Sequence, residues 1–138
     1  MADKDQWQIA MEKLEALGQR LLSPDSLDAM LSHEFRDAER VLHNAAITVG
    51  RPRCAVAHFL ELHLSDVITN LAPEEIAQLS DSGAPSIWAQ YMHQLGTNLK
   101  NISQFFVQEP KAETFLEWMA VLTDEYQAVI GKINRVTA

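Results

Sequence analysis

The sequence predicts an all-α fold, a compact antiparallel bundle of five long helices and one short helix. Apolar residues recur at steps of three and four along most of the chain, which is the spacing of one helix face. No stretch alternates as a strand would, and proline and glycine fall almost entirely between the periodic segments. At 138 residues the chain is the size of one domain, 1–138. A globin-like arrangement of the same helices is the alternative.

The first two helices are predicted at about 5–22 and 25–49. The first carries its apolar face on Trp7, Met11, Leu14, Leu17 and Leu21. Ser23-Pro24-Asp25 supplies a capping hydroxyl, a proline suited to the first turn and a carboxylate near the positive end of the helix dipole. The second helix is therefore expected to start there and to stop at Gly50.

Two helices of unequal length are predicted next, at about 53–72 and 74–79. Pro52 opens the longer one, which ends before Pro73. The shorter helix begins with the acidic pair that follows Pro73, and a loop over 80–84 separates it from the next helix.

The last two long helices are predicted at about 86–108 and 111–136, on either side of Pro110. In the final helix the apolar residues alternate at steps of four and three: Phe115, Met119, Leu122, Tyr126, Val129, Ile133 and Val136. That spacing is typical of a helix packed lengthwise on others. Its apolar arc covers roughly 200° at 100° per residue, wider than a coiled-coil seam. We therefore expect a central helix that contacts two or three others of its own chain.

Composition limits the classes of partner. Eleven basic against nineteen acidic residues give a formal net charge of −8, which repels phosphate backbones and anionic lipid headgroups. Neither a nucleic-acid nor a membrane partner is expected, and the apolar runs are far shorter than the ~20 residues that span a bilayer. The single Cys54 cannot form an intramolecular disulfide, and the first residues are charged where a signal peptide is apolar. These features predict a cytoplasmic protein.

His63, Asp66 and Asn70 form a polar stripe on the predicted third helix. His63 lies between Leu60 and Val67 on the inner face. Such a stripe could hold a ligand, which would make the protein a small-molecule or haem sensor. It could equally be a hydrogen-bonded polar layer that fixes the helix register.

A metal or nucleotide site is not expected. A metal centre in a bundle needs several inward carboxylates and histidines on facing helices, and only two half-pairs occur, Glu39 with His43 and His63 with Asp66. The five glycines are scattered and form no phosphate-binding loop. The sequence therefore predicts no metal and no cofactor.

Two short segments suggest phosphotransfer chemistry. Leu31-Ser32-His33-Glu34-Phe35-Arg36 resembles the H-box of histidine kinases, with Asp37-Ala38 where that motif has Thr-Pro. Met92-His93-Gln94-Leu95-Gly96-Thr97 resembles the core of histidine phosphotransfer domains without its lysine. Each resemblance covers six residues. It implies a two-component relay protein with His93 or His33 as an exposed phosphoacceptor.

With no catalytic motif, the sequence favours a non-enzymatic protein. We expect an acidic helical bundle that binds another protein as an adaptor, regulator, chaperone or inhibitor, and that is itself a monomer or weak homodimer. The candidate interface is Phe105, Phe106 and Val107. Phe105 lies about 80° from the centre of the apolar face of its helix, so partial exposure is expected, as for many interface aromatics.

Overall fold

The computed structural model describes residues 5–23 and 30–138, and these residues form helices and no strand. The helices are α1 Gln6–Leu21, α2 Leu31–Thr48, α3 Arg53–Asn70, α4 Pro73–Ala77, α5 Ala84–Phe105 and α6 Ala112–Thr137. The five long helices pack against one another. The predicted all-α bundle is confirmed over the described ranges.

Two predicted helix boundaries need comment. The start predicted for the second helix falls largely on residues 24–29, which lie outside the described ranges; the observed α2 begins at Leu31, with Met30 as its N-cap. The helix predicted to reach residue 108 ends at Phe105. Residues 106–108 turn instead: Pro110 has no N–H to donate to the Phe106 carbonyl, which accepts a hydrogen bond from the Trp7 indole N–H at 2.8 Å.

The long helices form a ring in the order α1, α2, α3, α6, α5 and back to α1. Neighbours in an up-and-down ring alternate in direction, so a ring with an odd number of helices must contain one parallel contact. That contact joins α3 and α6. Phe59 meets Phe115 and, farther along both helices, the Asp66 carbonyl meets Tyr126. This ring is a helical bundle, and the globin-like alternative is not needed to describe it.

Helices α1 and α5 approach closely where they cross at Gly18 and Gly96. A Cβ atom on Gly96 would lie 2.8 Å from the Gly18 carbonyl oxygen, and one on Gly18 would lie 2.7 Å from the Gly96 carbonyl oxygen. Neither position has room for a side chain. The two glycines therefore set the distance between these helices.

Helix α6 contacts two helices of its own chain, α5 and α3, as predicted, but it is one member of the ring and not its centre. Its buried side chains are Leu122, Tyr126, Val129 and Ile133, and none of the ten residues 112–121 is buried. Helix α6 packs against α5 on one side and sparsely against α3 on the other. These two contacts cover only part of its apolar arc. Leu116 and Val121 remain 55% and 42% exposed.

None of the helices in the described ranges has the length and apolar character needed to cross a membrane.

Candidate functional site

Several apolar side chains remain exposed where the end of α5 meets the first half of α6. Phe105 is 53% exposed, Val107 39% and Val121 42%, while Trp118 is half-buried beside them. We call these four residues the α5–α6 patch. Exposed apolar residues that cluster in this way mark interaction surfaces, whereas isolated ones do not.

The register between α5 and α6 brings the patch together. The Asn98 side-chain amide donates a hydrogen bond to a Glu125 carboxylate oxygen at 2.8 Å. Because the helices are antiparallel, residues seven positions farther along α5 and seven positions earlier on α6 share a level. Phe105 therefore lies level with Trp118.

Trp118 also lines a narrow apolar crevice that reaches toward the core. Phe59 of α3, Phe106 and Leu122 are among its other walls, and all of its lining residues are apolar. The space inside the crevice is about 10 Å³, too small for a side chain, so it is a packing gap of the core and not a binding pocket.

Burial of Phe106 directs its two neighbours outward. Phe106 is 1% exposed, and the Trp7 indole nitrogen lies 2.8 Å from its carbonyl oxygen and 3.2 Å from that of Val107. Phe106 is thus a core residue and not part of an accessible interface, which corrects its place in the predicted set. With Phe106 fixed inward, Phe105 and Val107 face solvent.

Arg53, at the start of α3, contacts the segment between α5 and α6 and the start of α1. Its guanidinium donates to the Gln108 carbonyl at 3.0 Å, lies 3.5 Å from an Asp5 carboxylate oxygen and stacks 5.9 Å above the Trp7 ring. The connection from α5 to α6 is therefore attached to both α1 and α3. This attachment presents the patch on a fixed backbone.

Acidic side chains border the patch on α6. Glu117 and Glu125 lie one turn on either side of Val121, and Asp124 lies three residues after it. Burial raises the pKa of Glu125, and the hydrogen bond from Asn98 opposes that rise. Between residues 101 and 131 there are five acidic residues and one basic residue, Lys111. Acidic residues therefore outnumber basic ones along the segment that carries the patch.

The polar stripe of α3 is built differently from a ligand site. His63 is 6% exposed and its ring packs against Phe59 and Tyr126. The Tyr91 hydroxyl lies 3.4 Å from His63 Nε2. Burial lowers the pKa of His63 to about 4, and the nearby Asp66 carboxylate opposes this only in part. The imidazole is therefore neutral at pH 7, with Tyr91 placed to donate to Nε2.

Asp66 and Asn70 meet Tyr126 across the α3–α6 contact. The Tyr126 hydroxyl donates to the Asp66 backbone carbonyl at 3.0 Å, and the Asn70 amide donates to the Tyr126 hydroxyl at 2.7 Å. Both α3 residues are otherwise exposed. Sequence reasoning missed Tyr91 and Tyr126 because both sit at apolar helical positions. Their hydroxyl groups were the available signal, since a buried tyrosine hydroxyl needs a partner.

The two phosphotransfer histidines lie apart on the surface. His33 is exposed at an open groove whose walls include Ser32, Arg36 and Glu74. His93 is exposed on α5. The glycine in its motif, Gly96, has a packing role at the crossing with Gly18.

No group of three or more histidine, cysteine, aspartate or glutamate side chains in 5–23 and 30–138 is arranged to hold a metal ion.

Fold and site together define an acidic five-helix ring with one short added helix and an apolar patch on its last helix pair. Comparison of the chain with protein-family models, with curated proteins and with solved structures found no significant match.

Proposed function

We propose that this protein is a non-enzymatic binding module that docks a helical segment of another protein on the α5–α6 patch. One observation carries the proposal. None of the residues 112–121 is buried, although seven of the ten are apolar, including Phe115, Trp118 and Val121. Phe115 and Trp118 pack in part against the core and Val121 stays 42% exposed, so the face is only partly covered and leaves apolar surface that a partner could bury. The role is that of an adaptor, regulator, chaperone or inhibitor.

The shape of the patch suits a helix. It lies along two antiparallel helices, and residues 112–121 present about 15 Å of helix length at 1.5 Å per residue. A partner helix laid beside α5 and α6 would place residues at steps of three and four against the patch. Phe105 and Trp118 are aromatic, the class that most often dominates binding energy.

Further properties of the proposed module follow from composition. We propose a cytoplasmic monomer, supported by the single Cys54 and by a net charge of −8. Self-association through the patch would bring Glu117 and Asp124 of two copies together, and like charges at an interface disfavour it.

Capture followed by direct titration tests the proposal. Tagged wild-type protein and Phe105→Ala are used to retain proteins from extract of the source cells, and proteins specific to the wild type are purified. Each is then titrated against both forms. We expect one-to-one binding that Phe105→Ala weakens at least tenfold, because truncating an interface aromatic typically costs more than 1.4 kcal/mol.

Ile47→Ala is the matched control, since Ile47 is 68% exposed on α2, away from the patch. It should bind within twofold of the wild type. Equal binding by wild type and Phe105→Ala, or an equal loss in Ile47→Ala, would contradict docking on the patch.

A further inference from the structure

We propose that the segment docked on the α5–α6 patch is a cationic amphipathic helix, with apolar residues on one face and lysine or arginine along its borders. This inference rests on the proposed function and adds the chemistry of the partner.

The charges beside the patch carry it. Glu117 and Glu125 bracket Val121 at one turn on each side, and Asp124 adds a third carboxylate to the outer face of α6. A helix that covers Val121 brings its own flanks within reach of these carboxylates. Basic side chains there gain charge-assisted contacts, whereas acidic ones are repelled.

On the α5 side, the Arg53 guanidinium reaches the Gln108 carbonyl beside Val107, and an Asp5 carboxylate oxygen 3.5 Å away offsets its charge. Residues 101–110 contain one acidic residue, Glu109, and no basic residue. Lys100, the last basic residue before them, donates to the Gln19 side chain at 3.0 Å and so is held toward α1. Lys111 is the single cation between residues 101 and 131.

The same charges select against other occupants. A second copy of this chain would present its own Glu117 and Asp124 to the same carboxylates. An anionic membrane surface would be repelled for the same reason. A peptide adding as a strand has no sheet edge to join, since the structure describes no strand in 5–23 or 30–138.

Two synthetic peptides test the inference. One is an 18-residue helix of leucine at steps of three and four with lysine elsewhere, and the other has glutamate in place of every lysine. Each carries a fluorescent label, and binding is followed by anisotropy at low and at high salt. We expect the leucine–lysine peptide to bind at least tenfold more tightly than the leucine–glutamate peptide, and less tightly as salt increases.

Paired variants separate the patch from the general acidity of the protein. Glu117→Gln with Asp124→Asn removes two charges beside the patch, and Glu15→Gln with Asp81→Asn removes two exposed charges elsewhere. The first pair should weaken binding of the lysine peptide about tenfold at low salt. The second should leave it within twofold. Phe105→Ala should also weaken it at least tenfold.

Each other result overturns the inference in a distinguishable way. If the two variant pairs weaken binding of the lysine peptide equally, the peptide is attracted by the overall negative charge of the protein and not by the patch. Equal or tighter binding of the glutamate peptide, lost in Phe105→Ala, overturns the charge assignment and leaves the proposed function standing. If neither peptide binds but the captured partner still requires Phe105, the charge assignment is overturned and the proposed function stands. A dimer that forms through Phe105 overturns both proposals.

Discussion

His63 shows at the scale of one residue how burial decides a role that the sequence leaves open. The histidine is 6% exposed, with aromatic neighbours and a nearby tyrosine hydroxyl, while Asp66 and Asn70 are exposed. These contacts fit the hydrogen-bonded layer better than a ligand stripe. The choice could not be made from sequence, because Tyr91 and Tyr126 reach His63 from other helices.

The pH dependence of stability tests this role. The pKa of His63 is about 4 in the folded protein and 6.5 as its ordinary value, so the unfolded chain takes up the proton first as pH falls. Stability is therefore lost progressively below pH 6.5. Between pH 7.5 and pH 5 this one group should lower the free energy of unfolding by about 2 kcal/mol.

Urea unfolding of the wild type and His63→Gln at the two pH values measures the effect. The loss on going to pH 5 should be about 2 kcal/mol smaller in His63→Gln. His93→Gln, at an exposed histidine, should keep the wild-type dependence. An equal loss in all three proteins would mean that His63 is not held neutral.

Phe105 and Phe106 show, at adjacent positions, what local sequence spacing can and cannot predict about burial. Helical periodicity predicted the partial exposure of Phe105, which the structure gives as 53%. The burial of Phe106 below the Trp7 indole depends on a contact 99 positions away in sequence. Such contacts are outside the reach of local spacing.

At the scale of the element, sequence patterns located the helices but not their neighbours. Proline positions such as Pro52 and Pro110 predicted helix boundaries to within a few residues, because proline acts locally on the backbone. The width of the apolar arc of α6 does not reveal how much of that arc is covered by other helices of the same chain. Gly96 likewise belongs to the segment that resembles a phosphotransfer core, and nothing in the sequence indicates that it packs against Gly18.

Alanine at Gly96 should therefore destabilise the protein. Its Cβ would overlap the Gly18 carbonyl and force α1 and α5 apart, at a cost of about 1–3 kcal/mol in the free energy of unfolding. Gly131→Ala is the matched control, because nothing lies within 4 Å of a Cβ there and α6 gains a better helix former. It should stabilise by about 0.5–1 kcal/mol. Thermal or urea unfolding of both variants gives the comparison, and equal stabilisation by both would contradict the close crossing.

At the scale of the whole molecule, the odd number of helices in the ring explains where the fold is least covered. Four contacts are antiparallel, and the parallel contact of α3 with α6 is the sparsest. Tyr126 with its partners holds that contact in the second half of α6, and in the first half Phe115 meets Phe59 across it. Outside these contacts the first half of α6 leaves Leu116 and Val121 exposed, with Glu117 between them in the sequence.

Tryptophan fluorescence gives the most direct test of this exposed surface as the interface. Trp7 and Trp88 are 1% and 0% exposed and their indole nitrogens are hydrogen-bonded, so acrylamide should quench Trp118 selectively in the free protein. Trp118→Phe should remove the quenchable emission. The emission of Trp118 is obtained by subtracting the emission of Trp118→Phe from that of the wild type. Saturation with the leucine–lysine peptide or with the captured partner should protect this emission from acrylamide. Trp118 that resists quenching in the free protein, or stays equally quenchable in the complex, would contradict docking on the α5–α6 patch.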